Sequence, residues 1–122
     1  AARAGSITAY FFGNDGNRLD QYAWWGGGYD TAQMTHSVDE KAPNAFGLYQ
    51  VHGNVWQWVQ DRYGRYPQNA VTDPSGPKTG ASRVFRGGSW NSDKTHCRSA
   101  GRYSVDPGYR GSQLGLRLVR SR

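Results

Sequence analysis

The clearest periodicity lies in Val55-Trp-Gln-Trp-Val-Gln60, where Trp56 and Trp58 fall on one face and Val55, Gln57 and Val59 on the other. That two-residue repeat is a strand's, and bulk on both faces predicts a central strand. It ends the segment 44–60, which reads as the best-buried part of the chain. Arg83-Val-Phe-Arg86 predicts a second strand running into the corner Gly87-Gly88, since glycine alone takes positive φ without strain. Residues 98–103 predict a third strand and Leu114-Gly-Leu-Arg-Leu-Val119 a last one. Near the start, Ala1-Ala-Arg-Ala4 before Gly5 reads as the last turn of a helix with a glycine cap, its earlier turns upstream or absent. Tyr10-Phe-Phe12 predicts a short strand before the turn cluster 13–17. Tyr22-Ala-Trp-Trp25 reads as an aromatic anchor beside the loop Gly26-Gly-Gly28. Residues 63–80, with Asp73-Pro-Ser-Gly-Pro77, form a long turn-rich connection. No internal repeat shows, and helix is scarce.

Composition narrows this to one folded, polar domain. The chain has 122 residues, and its 14% aromatic content, with five Trp and eight Tyr, excludes a disordered segment. Seventeen Gly and five Pro without a period favour many turns and short strands. One Cys rules out an intrachain disulfide, leaving the core or a bound ion to supply stability. The net charge of +6 comes from 15 basic residues spread along the chain, with only Arg117, Arg120 and Arg122 loosely grouped. Such a spread reads as solvated basic surface rather than a nucleic-acid groove, and leaves acidic glycans or a negatively charged partner open. Neither a membrane span nor a signal peptide is recognisable. The start at Ala1 reads as a processed or excised piece, and the compartment stays open.

Seven motifs in order carry a resemblance across nearly the whole chain. They are Ala1-Ala-Arg-Ala-Gly5, Asn44-Ala-Phe-Gly-Leu-Tyr49, His52-Gly-Asn-Val-Trp-Gln-Trp58, Asp73-Pro-Ser-Gly-Pro77, Arg83-Val-Phe-Arg-Gly-Gly-Ser-Trp90, Cys97-Arg-Ser-Ala-Gly-Arg102 and Gly115-Leu-Arg-Leu-Val119. Together they resemble the formylglycine-generating-enzyme, or sulfatase-modifying-factor, superfamily. The resemblance implies an α+β, C-type-lectin-like fold with short strands and little regular structure. It also implies a single domain over 1–122 from which the family's N-terminal portion is absent, to be supplied by another chain or dispensed with.

This superfamily holds enzymes and binding modules alike, so function must be read from the site. In the formylglycine-forming members, two closely spaced cysteines after the Gly-Gly-Ser-aromatic corner bind copper as thiolates and activate oxygen. Cu(I) needs such soft ligands. Aligned from Gly87-Gly88, the first position is Ser92, a hard hydroxyl, and the second is Cys97; aligned from Arg102, Cys97 matches neither. Copper belongs only to the enzyme alternative, with Ser92 and Cys97 as its catalytic positions; otherwise Cys97 is a small buried hydrophobe.

The resemblance also implies a calcium site. Its side chains fall on Gln50 and Gln57 and its carbonyls on Gly53 and Val55. Calcium favours carboxylates, so two neutral amides leave the site weakened or replaced by a direct hydrogen bond between Gln50 and Gln57.

Other chemistry is thin. His36, His52 and His96 lack zinc-like spacing, and His52 reads as a hydrogen-bonded turn residue. His96 beside Cys97 could pair a base with a nucleophile, but strand neighbours point to opposite faces. Asp15, Asp20, Asp39 and Glu40 read as solvated surface, and the loop at Gly26 lacks the lysine of a phosphate cradle.

What remains is a loop surface. It comprises Trp90, Asn91, Ser92, Asp93, Lys94, Thr95 and His96, then Tyr103, Ser104, Val105 and Asp106, then Tyr109, Arg110, Ser112 and Gln113. Tyr with small polar residues on loops is the repertoire of antibody paratopes. Relatives of the superfamily include the variable proteins of diversity-generating retroelements in bacteria and phages. Most of these residues lie one or two adenine changes from an Asn codon, although Lys94 and Gln113 do not; an ordinary variable loop surface fits equally. Three readings therefore stand. The first is a non-catalytic lectin-like module presenting these loops to a protein or glycan. The second is a formylglycine-type or related iron-dependent oxidase acting on a protein cysteine through Cys97. The third is a fragment completed by an oligomer or a second chain.

Overall fold

A computed structural model describes residues 1–26, 34–72 and 74–119. The glycines at 27 and 28, Asp73 and the two terminal arginines, all singled out above, lie outside the described residues.

The architecture is a mixed four-stranded sheet wrapped in turns. Strand β1 is Trp56–Arg62, β2 is Arg83–Arg86, β3 is Tyr103–Val105 and β4 is Leu114–Gly115, in the spatial order β3-β2-β1-β4. β1 lies inside the sheet, as its two-faced bulk predicts. It pairs antiparallel with β2, placing Gln57 against Arg86 and Trp58 against Phe85, and parallel with β4, placing Trp56 against Leu114. Beyond Trp58 the register shifts before Arg62 meets Arg83, a bulge-like irregularity that bends the strand. β2 pairs antiparallel with β3, setting Phe85 beside Tyr103. Trp56 and Phe85 meet edge to face with centroids 4.8 Å apart, so the predicted alternation becomes one aromatic face.

Four expected elements differ from the structure. Residues 1–5 form two successive turns, closed by Ala4 N–H to Ala1 carbonyl and Ser6 N–H to Arg3 carbonyl. Gly5 takes the positive φ foreseen for it, but Ala4 is already at φ 46°, so the right-handed helical path has ended there. Among the described residues no strand pairs with Tyr10–Phe12; Tyr10 bridges to Gly13 across a tight turn. Residues 98–101 form a turn, since Gly101 donates to the Arg98 carbonyl, and pairing starts at Tyr103. The last strand stops after Gly115, and Leu116, Leu118 and Val119 are left exposed. In the three strand cases the pairing partner was missing among the described residues.

Helix among the described residues is one 3-10 segment, Gly16–Gln21, capped by the Asp15 carboxylate accepting from Asn17 N–H. Asp20, expected as free surface, accepts from Trp25 Nε1 at 2.7 Å. The segment delivers Leu19 into a core with Tyr10, Ala23 and Cys97, flanked by Ala9, Phe12 and Trp25. Among the described residues no helix is long and apolar enough to cross a membrane.

Candidate functional site

The site is built from a hydrogen-bonded turn upward. Gly53 donates to the Gly87 carbonyl at 2.7 Å, Asn54 to the Trp24 carbonyl at 2.7 Å, and Trp90 to the Asn54 carbonyl at 2.8 Å. Gly53 and Asn54 both take positive φ, which suits Gly and is tolerated by Asn. The His52-Gly-Asn54 turn is thereby stitched to the Gly87-Gly88 corner and to the first residue of the loop beyond it. Ser89 N–H donates to Ser92 Oγ at 3.1 Å and the two hydroxyls meet at 2.9 Å, which closes the corner internally.

Over this corner lies a cleft of ≈ 470 Å³ lined by Gly26, Trp56, Phe85, Asn91, Ser92, Asp93, His96 and Tyr103. Its floor is aromatic: Trp56 and Tyr103 approach at 5.1 Å, and His96 and Tyr103 at 4.8 Å. At the edge, the Asp93 carboxylate accepts from Thr95 N–H and hydroxyl and pairs with His96 Nδ1 at 3.0 Å. The Thr95 hydroxyl, more than any other group, holds the Asp93 carboxyl below its ordinary value, so Asp93 is an anion at neutral pH.

Of the loop residues singled out in the sequence, Asn91, Ser92, Asp93, His96 and Tyr103 come together here. Ser92 is buried and bonded to Ser89, a frame residue as much as a lining one. Lys94 turns away, its carbonyl accepting from the Tyr10 hydroxyl and its Nζ reaching Asn17. Ser104 and Val105 sit on β3 against Val84 and Arg83. Asp106 caps the turn to Gly108, Tyr109 and Gln113 bond each other, and Arg110 and Ser112 are exposed; none of these lines the cleft. The sequence reading missed Trp56 and Phe85 as lining residues, having assigned them to strand packing. The β1–β2 register supplies what the sequence lacked, since Trp58 opposite Phe85 puts Trp56 beside it.

Cys97 leaves the cleft in the opposite direction. It is 0% exposed, in the core with Tyr10, Leu19 and Ala23, while His96 packs on Trp56 and Tyr103. The two diverge as expected, but across a turn rather than along a strand. Burial, more than the nearby Asp93 charge, pushes the Cys97 thiol up to about 12. A protonated buried thiol and a hydroxyl committed to Ser89 do not fit Cu(I), which wants two thiolates. Among the described residues no three His, Cys, Asp or Glu side chains gather as a metal site.

The residues at the calcium positions do not fit that ion either. Gln57 Nε2 donates to the Gln50 carbonyl at 2.9 Å, so the expected amide bond exists but reaches backbone. Gln57 Oε1 accepts from Arg117 Nε at 3.0 Å. The Gln50 side chain is 3% exposed, and neither its amide nitrogen nor its oxygen has a partner. The side chains at these positions offer a divalent cation two neutral amide oxygens and no carboxylate, and of the two Gln57 Oε1 is already taken by a guanidinium.

His52, foreseen as a hydrogen-bonded turn residue, is 1% exposed and accepts from Phe11 N–H through Nε2, stacked on the Phe11 ring at 5.3 Å. Burial drives its pKa down to about 4, from an ordinary 6.5, against an opposing pull from the Cys97 backbone. A histidine depressed on folding gives its full stability above 6.5 and loses it as pH falls toward 4, because the unfolded chain binds the proton first. The loss expected across that window is about 3 kcal/mol. Urea midpoints measured from pH 7.5 to 4.5 should fall accordingly, and His52→Gln should flatten the profile.

Comparison with known proteins gives consistent matches. A model described as "Sulfatase-modifying factor enzyme 1-like domain" matches residues 1–122. The formylglycine-generating enzyme of Mus musculus is 39% identical over 96 residues, covering 75% of this chain and 26% of that one. Among solved structures, variable protein 1 of Treponema denticola superposes with a TM-score of 0.86 at 35% identity, over 94% of this chain and 41% of that one. PvdO from Pseudomonas aeruginosa gives 0.81 at 32% identity, over 94% and 46%. The chain spans less than half the length of each of these relatives.

Proposed function

Because the chain belongs to the sulfatase-modifying factor enzyme 1-like family, with its formylglycine-generating-enzyme-like fold, and its one thiol is buried away from the cleft, we propose that it is a non-catalytic ligand-binding module. The cleft over the Gly87-Gly88 corner receives a protein or glycan. The single observation that carries this reading is the separation of the two features that an oxidase would need together. The cleft is lined by buried Trp56 and half-buried Phe85 and opens to solvent at Tyr103, whereas Cys97 faces the core.

The floor suits such ligands physically. Tyr103 is 37% exposed, and rigid aromatic area with two rotatable bonds costs little entropy to order on binding. Asp93, fixed by Thr95 and His96, adds a directional acceptor. Segments 90–96 and 103–113, the second beginning on β3, then act as variable display segments on a constant frame, diversified by a retroelement. The likeness to the Treponema denticola variable protein supports that reading. The exposed Leu116, Leu118 and Val119 support a further one, in which additional chain or a partner copy covers that edge.

The test is a protein and glycan array probed with full-length protein. Binding should fall about 10-fold or more in Tyr103→Ala and Asp93→Ala, the range of an interface hot spot, and stay unchanged in Cys97→Ser. If every array signal survives Tyr103→Ala and Asp93→Ala, the cleft is not the binding site. If Cys97→Ser alone abolishes binding, the thiol takes part and the reading fails.

A further inference from the structure

Arg117 lies two residues past β4, and its side chain returns to the base of the His52-Gly-Asn54 turn. Its Nη2 donates to the Tyr49 carbonyl at 2.6 Å and the Gln50 carbonyl at 3.3 Å, and its Nε to Gln57 Oε1 at 3.0 Å. Gln57 completes the arrangement by donating Nε2 to the same Gln50 carbonyl. One planar cation thus gathers three oxygens, drawn from the segment before the turn and from β1 after it. These donor-acceptor roles explain the residue types. A carboxylate at 57 could accept from Arg117 but could not donate onward to Gln50, whereas the amide does both. Guanidinium presents several N–H groups in a plane and stays charged at every physiological pH.

We propose that the Arg117 guanidinium is the resident cation of this turn, doing by hydrogen bonds what a divalent ion would do by coordination. The turn that donates Gly53 N–H to the Gly87 carbonyl and offers the Asn54 carbonyl to Trp90 is then held without metal. Arg117 is a positioning residue for the loop carrying Asn91, Asp93 and His96, acting from a point 60 residues along the chain from Gln57. The C-terminal segment becomes part of the ligand-bearing frame.

Thermal unfolding of the full-length protein tests this, with EDTA and with calcium at about 5 mM, above the weak end of protein calcium sites. The native protein should melt at the same temperature in both. Arg117→Ala should lower Tm by about 4–8 °C, in keeping with loss of charge-assisted hydrogen bonds in a small domain. Arg117→Ser combined with Gln57→Glu should acquire a calcium-dependent rise in Tm, a response that a merely structural arginine would not leave behind. Arg117→Lys, which keeps the charge but not the planar fork, serves if the alanine variant does not fold; it should lose part of the Tm and remain indifferent to calcium. A native protein stabilised by calcium and destabilised by EDTA would overturn the proposal. So would an alanine or lysine variant as stable as the native protein, or a double variant that ignores calcium.

Discussion

Gly53→Ala should destabilise the protein by about 2–5 kcal/mol, a large share of the roughly 5–15 kcal/mol that holds a small domain together. Gly53 takes φ +68°, and a Cβ there would stand 2.1 Å from the Trp24 carbonyl oxygen and 3.1 Å from Ala23 Cβ. The oxygen belongs to backbone and cannot swing aside. It also accepts from Asn54 N–H, so any retreat loosens the bond that sets the turn. The left-handed conformation costs about 1–2 kcal/mol for alanine, and overpacking adds about 1–3. Gly47 provides the control, with φ +73° but nothing within 4 Å of its Cβ position. Gly47→Ala should cost only the conformational part. Urea denaturation of the two variants separates the contributions, and equal losses would mean that the turn does not press against Trp24 as described.

Cys97 should resist alkylation to an extent that no ordinary surface thiol does. With its pKa pushed to about 12, the thiolate fraction at pH 8 is about 10⁻⁴, roughly three orders of magnitude below that of an unperturbed cysteine. Full burial slows the reagent further, since access requires opening of the core around Tyr10, Leu19 and Ala23. Iodoacetamide followed by mass spectrometry should therefore label the native protein about 10³-fold more slowly than the urea-unfolded chain. Comparable rates would place the thiol at the surface, where an oxidase would want it.

How much of this was legible in the sequence depends on the range of the interaction. The alternation of Trp56 and Trp58 is local, and it predicted both β1 and its central position. The same holds for β2 and the corner, because paired glycines announce positive φ wherever the chain goes. Strand limits at Tyr10, at residues 98–102 and beyond Gly115 were not legible, because a strand exists only where a partner edge runs beside it. Arg117 was invisible as a functional residue for the same reason: its acceptors lie 60 to 68 residues away. The cleft was half legible. Asn91, Asp93, His96 and Tyr103 stood out as loop residues, whereas Trp56 and Phe85 needed the β1–β2 register to show one aromatic face. Cys97 could be aligned two ways, and burial distinguishes a core thiol from a ligand where spacing does not.

These findings converge on a frame shared with formylglycine-generating enzymes and a cleft whose lining holds no sulfur. The most direct measurement incubates full-length protein with Cu(I), oxygen and a cysteine-containing peptide, and scores aldehyde formation on the peptide. The account predicts no aldehyde above the protein-free control, and identical traces for the native protein and Cys97→Ser. Copper- and oxygen-dependent aldehyde that disappears in Cys97→Ser would contradict it.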